Sequence, residues 1–157
     1  MWWRERTGDA ARNKRAMQTL VRDGREPGLL AYDDGTAVGW LSLGRREELG
    51  QLARSPKYAP ARGEPAVWSI VCFYVHPAAR HRGVAYALLA AAVEHARRKG
   101  AKAIEAYPHV GGDYMGSPQL FERAGFRQVR EVEPRLVMRR TLNATHRRSR
   151  ARGRVAL

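Results

Sequence analysis

The chain has 157 residues, of which 44% are hydrophobic, and it carries a formal net charge of +14. This length suits one domain with a substantial core and leaves little room for a second. No stretch approaches the ~18 consecutive apolar residues of a membrane-spanning helix, and the charged start argues against a signal peptide. A single cysteine, Cys72, excludes an intramolecular disulfide and favours a cytoplasmic location. Because the five histidines are scattered, we expect no metal site.

The basic charge divides into two parts. Residues 143–157 contain five of the 29 basic residues and none of the 15 acidic ones, so residues 1–142 carry +9. A basic body suits a polyanionic ligand. We interpret 143–157 as a separate basic tail that is disordered and solubilising. The alternative is an arm that contacts nucleic acid or a membrane surface.

In chain order, the first predicted elements are a helix and a hairpin. Residues 9–23 have helical spacing, and Gly24 is a plausible stop. Two short apolar segments, 29–32 and 37–43, flank the turn residues Asp33-Asp34-Gly35-Thr36. A glycine at this place supplies the positive φ of a hairpin turn, so the pattern predicts a β-hairpin.

The middle of the chain holds the most informative segment. Residues 44–63 are polar, and we expect an irregular loop there that is functional or mobile. An apolar strand at 67–75 leads through a basic turn containing Gly83 into 84–99, which has helical spacing. Strand, turn and helix in this order bring backbone N–H groups and the positive end of a helix dipole to one point. Three basic side chains flank that point: Arg80, His81 and Arg82. The segment therefore predicts a site for a phosphorylated ligand.

The last third predicts a strand, a helix and two more strands. Residues 103–107 form the strand, and Ser117-Pro118 is a typical helix start with serine as N-cap. Further strands are expected at 126–129 and 136–142. The whole order predicts one α/β (α+β) domain with a mixed twisted sheet flanked by helices. A right-handed crossover joins 67–75 to 103–107.

Two segments resemble one protein family. Arg80-His81-Arg82-Gly83-Val84-Ala85 is similar to the Arg/Gln-x-x-Gly-x-Gly/Ala signature of the GNAT superfamily of N-acetyltransferases. Leu120-Phe121-Glu122-Arg123-Ala124-Gly125-Phe126 resembles its LYEKxGF helix-to-strand element, and the hairpin matches its second and third strands. The likeness covers about residues 27–142. It has two departures: the N-terminal part is shortened, and Phe121 stands where the family often has tyrosine.

The resemblance implies an N-acetyltransferase that uses acetyl-CoA as co-substrate and a small-molecule or peptide amine as acceptor. In the family, the amides of the turn bind the coenzyme A pyrophosphate and the central strand pairs with pantetheine. The expected cofactor residues are therefore Phe73, Tyr74, Val75, Arg80, His81, Arg82, Gly83, Val84, Ala85 and Tyr86. The family also places an oxyanion donor on this strand, at a backbone N–H freed by a bulge. We expect that donor within 73–75, with Val75 first.

The base and the acid are less determined. An amine of pKa about 10.4 is mostly protonated at neutral pH, so a base or a desolvating site is required. Glu105, which lies among apolar neighbours, is the first candidate base, and His76 is an alternative. Because Phe121 has no proton to donate, Tyr114 is the candidate acid ahead of Tyr107. Coenzyme A thiolate is a tolerable leaving group, so a dedicated acid is not essential.

Two other interpretations stay open. Phe121 and the short N-terminal part fit a non-catalytic acyl-CoA-binding or regulatory domain. The arginine-rich tail fits a nucleic-acid-associated protein, with contact only through that tail. In each case we expect a domain over 1–142 and a tail over 143–157, and the resemblance is compatible with a homodimer.

Overall fold

The computed structural model describes residues 8–60, 64, 67–111 and 114–142, so the predicted tail lies outside the described residues. Four helices and six strands are named here: α1 (Ala10–Arg22), β1 (Gly28–Asp33), β2 (Thr36–Arg45), α2 (Gly50–Ala53), β3 (Val67–Val75), α3 (Val84–Arg98), β4 (Ala103–Ala106), α4 (Pro118–Arg123), β5 (Arg127–Val132) and β6 (Arg135–Thr141). Within these described ranges, no helix is long and apolar enough to cross a membrane.

The six strands form one sheet in the order β1-β2-β3-β4-β6-β5. β3 and β4 run parallel and are connected through α3, whereas the other neighbouring pairs are antiparallel. The predicted mixed α/β (α+β) sheet flanked by helices is therefore confirmed. The central strand has the predicted bounds, and the other predicted strands differ by one to three residues at their ends.

Local sequence signals explain where the elements begin and end. The Asp9 carboxylate accepts from two amides of the first turn of α1, and Gly24 follows that helix with a φ of 72°. Gly35 takes a φ of 76° in the hairpin turn. Ser117 caps α4 by accepting from the N–H of Leu120, as predicted. Each signal acts over a few residues, so each is legible in the sequence.

One face of the sheet packs against α3 and α4. We call this cluster the helix-side core: Leu41, Leu43, Trp68, Ile70, Phe73, Leu88, Leu89, Ala92, Phe121, Phe126 and Met138 are among its members. Gly39 permits the close approach of α3 to β2. A Cβ at that glycine would lie 2.9 Å from the Val84 side chain and 3.0 Å from that of Leu88.

The opposite face is covered by residues 46–58. We call this smaller cluster the second core: Leu49, Leu52, Tyr58, Val71, Tyr107, Met115 and Val137. Val137 and Met138 are adjacent on β6 but enter different cores, which places the two cores on opposite faces of the sheet. The prediction of an irregular loop was wrong for 46–58. This segment contains α2 and two 3₁₀ turns, because a few apolar residues among its charges are buried against the sheet.

Candidate functional site

A cleft of about 620 Å³ lies between the N-terminal end of α3 and α4. Seven of the ten predicted cofactor residues line it: Val75, Arg80, His81, Gly83, Val84, Ala85 and Tyr86. The turn that the sequence singled out therefore forms a wall of a cleft large enough for part of a nucleotide-sized ligand.

The turn presents its backbone amides to this cleft. His81 and Gly83 both adopt left-handed conformations, with φ of 60° and 80°. The left-handed region is strained for a residue with a side chain such as histidine. Gly83 is the N-cap of α3 and makes no side-chain capping bond, so the first N–H groups of the helix are available to a ligand. These donors and the helix dipole favour an anion in the cleft.

The positive charge beside the cleft comes from two elements. Arg80 lines the cleft, and its Nε donates to the carbonyl oxygen of Val75 at 3.2 Å. Arg123 lines it from α4. Arg82 is not among the lining residues, because its guanidinium pairs with Asp33 of the hairpin at 2.9 Å. An anion in the cleft therefore meets Arg80 and Arg123.

The contribution of α4 to the cleft was not predicted from the sequence. Four of the residues that line the cleft come from this helix and its cap: Ser117, Gln119, Leu120 and Arg123. Their spacing is a usable signal, since residues three apart share one face of a helix. Applied to the LFERAGF segment, it would have placed Arg123 beside Leu120.

The bulge expected on the central strand lies at Val71. Ile70 and Cys72 pair with consecutive residues of β2, Leu43 and Ser42, so Val71 has no partner in β2. A bulge disrupts the ladder locally and changes the direction of the residues that follow it. It therefore lies upstream of the segment in which the oxyanion donor was expected.

Beyond the bulge, alternate N–H groups of β3 point away from β2. His76 donates its N–H to the carbonyl oxygen of Val38 at 2.8 Å. Because amides alternate in direction along a strand, the N–H groups of Phe73 and Val75 point toward the β4 side. β4 ends at Ala106, before it reaches these residues, and this leaves a gap between the two strands.

Tyr114 lies at this gap. Its carbonyl oxygen accepts from the N–H of Phe73 at 2.6 Å, while its side chain is 74% exposed. Tyr74 pairs through its backbone with Trp40 of β2, and its side chain is exposed. Of the three predicted strand residues, Phe73 and Val75 thus direct amides into the gap, whereas Tyr74 does not.

Glu105 is the centre of a buried polar network. It is 3% exposed, and its Oε1 accepts from Arg139 Nη2 at 2.6 Å and from Nε at 2.8 Å. Its Oε2 accepts from the Tyr107 hydroxyl at 2.9 Å, and that hydroxyl also bonds the hydroxyl of Ser69 at 2.9 Å. Arg139 binds both oxygens of Glu64 as well, at 2.8 Å each. Both oxygens of the predicted base are therefore already hydrogen-bonded.

The network fixes the protonation of two of its members. The hydrogen bonds that Arg139 donates to Glu64, and then those to Glu105, raise the pKa of its guanidinium despite its partial burial. Burial raises the pKa of the Tyr107 phenol, and the neighbouring Glu105 carboxylate raises it further. Arg139 is thus cationic and Tyr107 a neutral hydrogen-bond donor at neutral pH.

The structure does not bring Glu105 and Tyr114 together. Glu105 pairs in register with Ser69, whereas Tyr114 contacts Phe73, four residues further along β3. Four strand residues span on the order of 13 Å. A reaction beside Phe73 therefore reaches Glu105 only through an intermediate group.

Two other candidates have local roles. His76 Nδ1 accepts from the N–H of Ala78 at 3.4 Å and so caps the 3₁₀ turn that follows β3. Phe121 is fully buried and packs edge-on against Phe73 and Phe126, with ring centroids at 5.9 and 5.3 Å. In the parts of the chain that the structure covers, no three His, Cys, Asp or Glu side chains cluster as metal ligands.

The sequence matches the acetyltransferase (GNAT) family over residues 1–126. No curated protein sequence matches it. Among solved structures, it is similar to the ribosomal-protein-alanine N-acetyltransferase from Brucella melitensis, with 25% identity, 89% of this chain and 83% of that chain covered, and a TM-score of 0.59. It is also similar to the PaiA N-acetyltransferase from Thermoplasma acidophilum in complex with coenzyme A. The identity is 14%, the match covers 84% of this chain and 71% of that chain, and the TM-score is 0.60. A third similar structure is that of yncA from Salmonella typhimurium with its cofactor acetyl-CoA. The identity is 21%, the match covers 90% of this chain and 78% of that chain, and the TM-score is 0.58.

Proposed function

We propose, since this chain belongs to the acetyltransferase (GNAT) family, that it transfers the acetyl group of acetyl-CoA to an amine by direct attack in a ternary complex. The observation that carries the proposal is the cleft at the start of α3, which is lined by the first residues of that helix and by Val75, whose amide points into the gap beside β3. Two of the similar structures hold coenzyme A or acetyl-CoA, which supports this co-substrate.

In this proposal the pyrophosphate of coenzyme A binds at the turn. Amides from Gly83 to Tyr86 donate to it, and Arg80 and Arg123 contribute charge from either side of the cleft. The first turn of a helix adds about 0.3–2 kcal/mol for an anion at its N-terminus. His81 lines the same wall and contributes a further donor when protonated.

The acyl end of the cofactor enters the gap between β3 and β4. Phe73 and Val75 are the proposed donors to the thioester oxygen, because both amides point there. Phe73 is favoured, since its N–H already binds a carbonyl oxygen, that of Tyr114. A backbone donor that is fixed by a sheet stabilises a developing oxyanion without reorganisation.

The proposed reaction follows from these positions. The neutral amine attacks the thioester carbonyl carbon, a C–N bond forms, and the oxygen gains the negative charge that the strand amide stabilises. When the C–S bond breaks, coenzyme A leaves as a thiolate, and Tyr114 is the proposed proton donor to it. The proton of the amine passes to Glu105 through bridging waters and the Tyr107 hydroxyl, and proton exchange with solvent then restores neutral Tyr114 and ionised Glu105. The products are an acetylated amine and free coenzyme A.

A second candidate is a non-catalytic acyl-CoA-binding domain. Two observations favour it: Phe121 offers no proton, and both oxygens of Glu105 are bonded to Arg139 and Tyr107.

The tail at 143–157 is proposed to be dispensable for either role, and nucleic-acid contact through it remains a separate proposal.

The deciding experiment measures thiol release from acetyl-CoA against a broad panel of amines, together with coenzyme A binding by calorimetry. Turnover with any amine, with the acetylated product identified by mass spectrometry, supports the acetyltransferase. Tight binding without turnover across the panel supports the second candidate. A shortened protein that ends at residue 142 serves as a control for the tail. It should retain both readouts, because the proposed site lies within residues 1–142.

A further inference from the structure

Arg46 is a buried arginine that the proposed reaction does not use. It begins the segment 46–58, is only 7% exposed, and donates from Nη2 to the carbonyl oxygen of Leu52 at 3.0 Å. Its Nη1 is buried and has no hydrogen-bond partner among the residues that the structure describes. A buried cation with an unmet donor is costly unless an anion completes its bonding. In native proteins such groups require an explanation, and a binding site is one.

The guanidinium of Arg46 lies on the second-core face of the sheet. Arg46 is bonded to the carbonyl oxygen of Leu52, which belongs to that core. The positive charge of Arg46 also lowers the pKa of Tyr107 against the larger effect of burial, so the guanidinium lies near that phenol. Tyr107 contacts Tyr58 edge-to-face, with ring centroids 5.4 Å apart. Arg46 therefore adjoins a pair of aromatic rings on the face opposite α3 and α4.

Two more arginines adjoin the same aromatic pair. Arg130 Nη1 donates to the carbonyl oxygen of Ala59 at 3.1 Å, and Arg135 Nη1 donates to that of Tyr107 at 3.0 Å. Both cations lower the pKa of Tyr58 against the effect of its burial. Three arginines thus approach one aromatic pair from different elements: the start of segment 46–58, β5 and β6.

In the part of the chain that the structure describes, no acidic side chain pairs with Arg46, whose hydrogen bond goes to the carbonyl oxygen of Leu52. Glu64 and Glu105 are both bonded to Arg139. Glu48 pairs with Arg25 on the surface, at 3.4 Å. The other carboxylates of the adjoining segments, Glu47, Glu131 and Glu133, are exposed. Among the described residues, the buried unmatched charge beside Tyr58 and Tyr107 is positive.

We propose that the acceptor is a small amine that carries an anionic group, a carboxylate or a phosphate, and that Arg46 binds this group. The inference rests on the proposed function and names its substrate class. Because the cofactor cleft lies on the helix side, the acceptor approaches from the second-core face. A planar guanidinium suits both anions, since it can donate two parallel bonds to either. Arg130 and Arg135 attract the anion toward that face.

The test compares amines in matched pairs that differ only by the anionic group. The purified full chain is assayed for thiol release with 8-aminooctanoate against heptylamine, and with 6-aminohexyl phosphate against 6-aminohexanol, because Phe73 lies four residues along β3 from the level of Glu105 and an anion at Arg46 must be held on the order of 10 Å from the amine. We expect kcat/KM to favour the anionic member of at least one pair by roughly 10- to 150-fold, as for a hydrogen bond to a charged group. The pair that shows the preference identifies whether the anionic group of the acceptor is a carboxylate or a phosphate.

Three variants assign the preference to Arg46. Arg46→Gln should reduce the ratio within the preferred pair to near one, and Arg46→Lys should keep part of it. The matched control is Arg45→Gln, because Arg45 is the adjacent arginine and is exposed; it should leave the ratio unchanged. Thermal unfolding checks that each variant is folded. A merely structural role of Arg46 would lower both members of a pair equally.

The outcomes separate this inference from the proposed function. Turnover of neutral amines as fast as their anionic partners overturns the inference and leaves the acetyltransferase standing. A preference that survives in Arg46→Gln overturns the role of Arg46. Should that variant not fold, the ratios of the unmodified chain and of Arg46→Lys decide. Absence of thiol release with every amine overturns the proposed function itself, and the inference with it.

Discussion

The backbone N–H of Phe73 donates to the carbonyl oxygen of Tyr114 over 2.6 Å, at the point where β4 has ended and β3 continues. The amide therefore binds a carbonyl oxygen that comes from the gap side. If Phe73 is the oxyanion donor, the thioester oxygen of acetyl-CoA must replace that of Tyr114 when the cofactor binds.

Hydrogen exchange at Phe73 tests this replacement. We expect the amide to stay protected when acetyl-CoA is bound, because one carbonyl oxygen substitutes for another. S-ethyl-CoA lacks that oxygen, so it should displace Tyr114 and leave the Phe73 amide exchanging faster. NMR-detected exchange distinguishes the two amides. If the Val75 amide instead exchanges faster with S-ethyl-CoA than with acetyl-CoA, and the Phe73 amide does not change, Val75 is the donor.

Glu105→Gln tests the proposed base. If Glu105 accepts the proton of the amine, kcat should fall by roughly 10²- to 10⁴-fold. The matched control is Glu64→Gln, which removes the other carboxylate on Arg139 but keeps Glu105. It should change kcat by no more than a few-fold, while thermal unfolding reports the stability of both proteins. Equal losses of kcat in the two variants would assign Glu105 a structural role.

Neutral replacements of three arginines test the geometry of the cofactor cleft. Arg80→Gln and Arg123→Gln should each raise the KM for acetyl-CoA roughly tenfold or more, because each removes a charged hydrogen-bond donor from the cleft. Arg82→Gln should have little effect, since its side chain pairs with Asp33. A large effect of Arg82→Gln alone would show that the arginine leaves Asp33 to bind the cofactor.

Stability should fall as the pH is lowered below about 6.5, through His95. Burial lowers the pKa of this imidazole, which packs edge-on against Trp68. Since the unfolded chain binds the proton more readily, stability is fully present above the unfolded pKa of about 6.5 and is lost as the pH falls through the folded pKa. The melting temperature, compared at pH 7.5 and 5.0, measures the loss. His95→Phe should flatten this dependence; an unchanged slope would place its origin elsewhere.

The cleft at the start of α3 was largely predictable, because its signals are local. Gly83, the helical spacing after it and the Ser117 cap each act within a few residues. The sequence did not predict that Arg80 lines the cleft while Arg82 does not. Arg82 pairs with Asp33, and the two residues are brought together only when the hairpin packs beside the turn in the folded chain. The same holds for Glu105: its partner Arg139 lies 34 residues away and depends on the pairing of β4 with β6.

The shortened N-terminal part and the tail stay predictions, because both rest on residues at the ends of the chain. The error over 46–58 has a plain cause. The apolar positions of that segment are sparse and follow neither a strand nor a long helix period, so only the sheet beneath them reveals that they are buried.

The division of the interior into two cores separates the cleft from segment 46–58. The helices on either side of the cleft, α3 and α4, pack into the helix-side core, whereas the buried apolar residues of segment 46–58 belong to the second core. That segment lies on the far side of the sheet from the cleft, so we expect substitutions at its exposed positions to leave the turn before α3 in place. If the acceptor binds on this face as proposed, substitutions in this segment should change the acceptor preference without altering the proposed coenzyme A site.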